Sequence, residues 1–74
     1  MNITIHAGSW ARRFIPEETR LTLYEGATVS DALAALTLPL DEIGLTVISG
    51  KAVPRDCMLR DGDKLEILPM IVGG

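Results

Sequence analysis

Thr28-Val29-Ser30-Asp31-Ala32-Leu33-Ala34-Ala35-Leu36 is the stretch on which the fold turns, because it alone carries a clear helical period. Val29, Ala32, Leu33 and Leu36 fall at i, i+3, i+4 and i+7 and so make one apolar stripe. Thr28 is a natural N-cap, and Asp31 three residues later completes a capping-box arrangement. Leu38-Pro39 marks the predicted end, since the residue before a proline is pushed away from helical angles. Asp41-Glu42-Ile43-Gly44 offers a further short turn of helix. A lone amphipathic helix must bury its stripe against another layer.

Working outward, both flanks supply strands. Met1, Ile3 and Ile5 alternate with Asn2, Thr4 and His6, the period of a half-buried strand. Gly8-Ser9 breaks that pattern, and Ser9 to Thr19, which contains Pro16, reads as a long connection. Leu21 and Leu23 alternate with Thr22 and Tyr24 in a second strand that stops at Glu25-Gly26. Beyond the helix, Leu45-Thr46-Val47-Ile48 is rich in β-branched residues and is closed by Ser49-Gly50. Lys51-Ala52-Val53 is the return arm of a hairpin, halted by Pro54. Asp61-Gly62-Asp63 is a turn, and Lys64-Leu65-Glu66-Ile67-Leu68 is the last strand, ended by Pro69, which has no N–H for a ladder.

Strands that enter and leave one helix imply a crossover within a single sheet. The predicted fold is therefore α+β: a β-grasp, with a mixed sheet of four to five strands and one main helix packed across it. Residues 1–69 form the domain, and residues 70–74 are expected to be a flexible C-terminal tail.

Composition bounds the function. The chain has 74 residues, 47% hydrophobic and 23% charged, which suits one compact domain and not a disordered segment. A domain of this size buries only about 60% of its unfolded surface, so it has little capacity to enclose a large substrate pocket. Net charge is −3, and Arg12-Arg13, the only basic cluster, is soon offset by Glu17 and Glu18, which argues against nucleic acid as a partner. Cys57 is the single cysteine, so no intrachain disulfide forms and a reducing cytoplasm fits best. The N-terminus lacks the pattern of a signal peptide, and no apolar run approaches the ~20 residues that span a bilayer, so no membrane partner is expected.

The chemistry is expected in the tail, Met70-Ile71-Val72-Gly73-Gly74. Two glycines permit unusual dihedrals and the close approach of another protein's backbone. An active site could thread such a tail through a slot that any side chain would block. Attack of the terminal carboxylate on a nucleotide phosphate would give an acyl adenylate, open to a sulfur or nitrogen nucleophile. Leu68, Met70, Ile71 and Val72 are apolar, and residues of this kind on an extended segment dock in a partner's groove.

Over essentially its whole length the chain resembles the ThiS/MoaD group of ubiquitin-like sulfur carriers. The residues that carry the resemblance are Gly26-Ala27-Thr28-Val29-Ser30-Asp31-Ala32-Leu33, Val47-Ile48-Ser49-Gly50-Lys51, the run from Leu59 to Pro69, and Gly73-Gly74. Two features depart from the group: serine stands at position 49 where asparagine is usual, and Ser9 to Thr19 matches neither subfamily. Leu68-Pro69 followed by an apolar stretch looks more like the molybdopterin type than the thiamin type.

The resemblance implies a co-substrate and not an enzyme, although such a chain can be counted as the small subunit of molybdopterin synthase. It implies no cofactor bound by this chain. An E1-like adenylyltransferase of the MoeB/ThiF type would adenylate Gly74 with ATP, Gly73 giving the tail access. A sulfurtransferase or cysteine desulfurase system would convert Gly74 to a thiocarboxylate. The sulfur would pass to molybdopterin through the large synthase subunit, or to thiamin thiazole through thiazole synthase. Two other readings stay open: a ubiquitin-like protein modifier conjugated through Gly74, and a β-grasp binding module with no tail chemistry.

Other residues weigh less. His6 alternates onto the face opposite the apolar set, a surface strand position with no metal or catalytic partner nearby in sequence. Cys57 reads as a small buried hydrophobe before it reads as a redox group. Asp61 and Asp63 are turn residues before they are metal ligands. Trp10, Arg12, Arg13 and Phe14 are balanced between a partner contact and a cap on the core.

Overall fold

The computed structural model describes residues 1–70; Ile71, Val72, Gly73 and Gly74, four of the residues to which the tail chemistry was assigned, lie outside the described residues. Five strands form one mixed sheet: β1 (Asn2–Ala7), β2 (Glu18–Thr22), β3 (Ile43–Ile48), β4 (Lys51–Ala52) and β5 (Lys64–Pro69). Their order across the sheet is β2-β1-β5-β3-β4. The central pair β1 and β5 is parallel, with Ile5 opposite Leu65 and Ala7 opposite Ile67. The other neighbours are antiparallel. One α-helix, α1 (Val29–Ala34), lies on the route from edge strand β2 to β3 on the far side of β5. This is the β-grasp arrangement that the sequence predicts.

The helix start is as its residues dictate. The Thr28 hydroxyl accepts from the Asp31 N–H at 3.3 Å, and the Asp31 carboxylate accepts from the Thr28 N–H at 2.8 Å. Val29, Ala32 and Leu33 are buried in one cluster with Ile3, Ile5, Leu65 and Ile67 from the sheet, and Leu36 packs against its margin. Thr46 is the one buried polar residue among those described, and its hydroxyl donates to the Val53 carbonyl at 2.8 Å.

Several boundaries differ from the sequence prediction. The helix ends at Ala34, with Ala35 as C-cap, well before Pro39. Leu38 is buried in the core, and its packing draws the chain away from the helix axis earlier than the proline requires. The short turn covers Leu40–Glu42 as a 3-10 helix, while Ile43 and Gly44 belong to β3. β2 begins at Glu18, inside the expected connection, because its ladder against β1 runs from His6–Glu18 to Asn2–Thr22. Pro69 is the last residue of β5, opposite Ile43, since proline keeps strand-like φ and lacks only the donor.

Candidate functional site at the end of the central strand

β5 runs through the middle of the sheet, so the residues that follow it leave from the centre of one end of the molecule. Three devices build that exit. The first is a close backbone approach at Gly44, where an added Cβ would stand 2.6 Å from the Pro69 carbonyl oxygen and 2.9 Å from the Met70 Cα. The ladder register shifts between Ile43 and Leu45 at this point, a bulge that only a residue without a side chain can close. The second is a backbone hydrogen bond one residue beyond the strand, from the Met70 N–H to the Glu42 carbonyl at 2.8 Å. The third is Trp10. Where β1 stops opposite Ile67, the Trp10 indole N–H donates to the Ile67 carbonyl at 3.3 Å, taking over the side of β5 that β1 has vacated.

Around this exit lies a surface cleft of about 330 Å³ lined by Trp10, Arg13, Asp41, Glu42, Pro69 and Met70. Trp10 and Arg13 come from the β1 side of β5, and Asp41 and Glu42 from the β3 side. The cleft thus has a cation on one flank and two carboxylates on the other, over a floor of indole, proline and thioether. Beside it, Leu68 pairs with Leu45 on the sheet face turned away from α1. Both are substantially exposed, at 41% and 53%, and Met70 is 54% exposed. Adjacent apolar side chains left in water at one end of a small domain have the character of an interaction surface.

Of the residues weighed from sequence, Leu68 and Met70 therefore stand exposed at the exit. Trp10 and Phe14 divide between the two alternatives. Trp10 is half-buried against the core, while Phe14 lies at the surface with the Arg13 guanidinium 5.2 Å from its ring centre.

His6 is half-buried on the face away from α1, between Glu18 and Glu66 in register, and its Nδ1 is buried without a partner. Cys57 is half-buried near the start of α1, where its thiol approaches the Met58 carbonyl at 3.6 Å. Asp61 accepts from the Asn2 N–H at 2.7 Å and Asp63 from the Arg60 N–H at 2.8 Å, so both serve the turn. Among the described residues no group of three or more His, Cys, Asp or Glu is placed to hold a metal ion. No helix among them is long and apolar enough to cross a membrane.

Sequence reasoning missed Gly44, Leu45, Asp41 and Glu42 as parts of this end. Gly44 had a signal: an isolated glycine beside a strand pattern marks a bulge or a close backbone approach. Leu45 is expected from sequence only as the first residue of a strand, and the bulge between Ile43 and Leu45 is not visible in the alternation.

Comparison with known proteins gives the fold independent support. SAMP1 from Haloferax volcanii superposes with a TM-score of 0.77 at 22% identity, over 100% of both chains. A crystal structure of H. volcanii small archaeal modifier protein 1 gives 0.80 at 20% identity, over 95% of this chain and 98% of that one. A protein described as molybdopterin converting factor, subunit 1, from Pyrococcus furiosus gives 0.80 at 20% identity, over 96% and 99%. A search of curated proteins finds no match. The family model described as Mut7-C ubiquitin matches residues 5–72, and the chain belongs to that ubiquitin-like family.

Proposed function

We propose that this chain is a sulfur carrier whose working group is the carboxylate of Gly74. The observation that carries the reading is the exit of the central strand: an anchored Met70, with exposed Leu68 and Leu45 beside it, four residues before Gly74. Four extended residues span about 13 Å, enough to enter a partner's active site while the domain stays outside. The similarity in fold to a molybdopterin converting factor subunit supports the same reading.

In the proposed cycle an E1-like adenylyltransferase brings ATP to the tail. A Gly74 carboxylate oxygen attacks the nucleotide phosphorus, pyrophosphate leaves, and an acyl adenylate results. The persulfide of a sulfurtransferase or cysteine desulfurase then displaces AMP to give an acyl disulfide. A thiolate of the partner enzymes attacks the S–S bond, forming a disulfide on the partner and releasing the Gly74 thiocarboxylate for molybdopterin or thiazole synthesis. Gly73 keeps the approach to the carbonyl clear of a side chain. The chain's own residues position the tail and meet the partners. The adenylating and sulfur-transfer chemistry, with any cofactor it needs, belongs to cytoplasmic partner enzymes.

A second reading rests on the likeness to a small archaeal modifier protein: the same activated Gly74 passing to a lysine amine. Intact-mass measurement on protein produced together with its cognate partners separates the two. Exchange of one terminal oxygen for sulfur supports the carrier, and isopeptide-linked conjugates support the modifier. A terminus that stays an unmodified carboxylate with the partners present, and that can lose Gly74 without effect on the cofactor pathway, sinks both.

A further inference from the structure

We infer that the cleft between Trp10 and Glu42 is the docking site for one segment of the enzyme that activates Gly74: a segment that places an apolar side chain on the cleft floor and a lysine or arginine against Asp41 and Glu42. The inference rests on the carrier reading and adds to it the surface by which the partner grips the domain.

Position is the first reason. Met70 lines the cleft and is also the residue that Ile71 follows, so an enzyme that holds the tail is brought next to this opening. Construction is the second. Trp10 is tied to the Ile67 carbonyl, Met70 to the Glu42 carbonyl, and Gly44 holds β3 against the end of β5. The floor is thus set before any partner arrives, and little ordering cost remains for binding.

Charge is the third reason, and it selects the occupant. Two carboxylates flank the cleft on the β3 side and one guanidinium on the β1 side. A neutral apolar peptide would leave all three facing an uncharged surface. A segment with a basic group toward Asp41 and Glu42, and a carboxylate or carbonyl toward Arg13, is complementary to both flanks in only one orientation. Such a contact fixes how the domain sits on the enzyme, and with it where the tail points.

The test uses the full chain with its cognate adenylating enzyme, followed by ATP–pyrophosphate exchange. The double variant D41K/E42K is expected to raise KM for the carrier about tenfold with kcat unchanged, because it removes binding made equally in the ground and transition states. A D56K/E25K control makes the same change in net charge at exposed positions elsewhere, and is expected to stay within about twofold of wild type. Trp10 is the only tryptophan, so its indole N–H gives one resonance in an NMR spectrum of labelled carrier. That resonance is expected to shift with the amides of Glu42 and Met70 when unlabelled enzyme is added without ATP.

Equal KM for D41K/E42K and wild type, or an indole resonance unmoved by saturating enzyme, overturns the docking site and leaves the carrier reading standing. A wild-type chain that supports no exchange at all overturns both.

Discussion

At the end of the sheet where β5 begins, the chain satisfies its own polar groups. The Thr4 N–H donates to the Asp63 carbonyl, the Gly62 N–H to the Asn2 carbonyl, and the side chains of Asp61 and Asp63 accept from Asn2 and Arg60. The helix start is sewn to the same end by Val29 N–H to the Cys57 carbonyl and Ser30 N–H to the Arg55 carbonyl, each within 2.9 Å. At the end where β5 finishes, β1 has already stopped, an indole stands in for it, and Leu45, Leu68 and Met70 face water around an open cleft. One end is closed by hydrogen bonds made within the chain. The other is held just firmly enough to present apolar surface and a departing tail. Charged-looking motifs such as Asp61-Gly62-Asp63 turn out to be structure, while plain apolar residues stand exposed at the other end.

The largest effect should come from forcing a side chain into the open end. Gly44→Ala sets a Cβ against backbone and not against a yielding side chain, so the end of β5 must move. An overpacked site of this kind costs about 2 kcal/mol. Urea denaturation measures the loss, and the Met70 amide should lose its hydrogen-exchange protection in parallel. At the closed end, Gly62→Ala meets nothing within 4 Å but holds φ at +87°, which an L side chain rarely adopts. That strain costs about 1.5 kcal/mol, and the tail end should keep its protection. If Gly62→Ala loosened Met70 as much as Gly44→Ala does, the two ends would not be independent.

The unequal legibility of the two ends has a physical cause. The closed end is also joined by bonds between distant residues, but its turns and helix cap are local motifs written in nearby residues: Thr28 with Asp31, Asp61-Gly62-Asp63, Ser49-Gly50. The last of these forms a turn with Ser49 at φ +52° and Gly50 at φ +77°. The crossover from β2 to β3 was legible for the same reason, since a capped amphipathic helix between two strands permits few arrangements. The open end is made of contacts between residues far apart in sequence. Trp10 meets Ile67, Glu42 meets Met70, and Gly44 meets Pro69; no periodicity encodes such meetings. The helix end was misjudged likewise, because Leu38 leaves the helix to fill the core and propensity alone would carry it on to the proline. Exposed Leu68 and Met70 were legible only as apolar residues near a glycine pair.

A smaller effect sharpens the account of the closed end. Thr28→Ala removes the hydroxyl that accepts from the Asp31 N–H, a cap worth about 1 kcal/mol. The Asp31 carboxyl is held below the ordinary aspartate pKa, first by the Thr28 N–H and then by the Tyr24 hydroxyl, which donates to it at 2.7 Å. A lowered folded pKa stabilises above the ordinary value of about 3.9 and is lost as pH falls through the lower, folded value. Wild type should therefore lose more stability between pH 7 and pH 3 than Asp31→Asn does, read from denaturation midpoints at each pH. Tyr24 moves the opposite way: its pKa is raised, chiefly by that hydrogen bond, so its contribution fades as pH rises through the raised value. Parallel acid limbs for the two proteins would remove the capping box from the forces that close this end.

The smallest change in stability should accompany the most telling change in function. Leu68→Ser sits on an exposed rung opposite Leu45, and losing that cross-strand pair costs about 0.5 kcal/mol. The same substitution takes an apolar side chain from the surface that the tail's partner is proposed to cover, where truncating an anchor weakens binding about tenfold. Met58→Ser supplies the contrast. Met58 is 66% exposed, more than Leu68, but it lies next to Cys57 by the helix start and away from the exit. Its loss should leave binding to the adenylating enzyme unchanged. Exposure alone would rank Met58 above Leu68, whereas position at the end of β5 ranks it below. Titration of both variants against the enzyme decides between these two orderings.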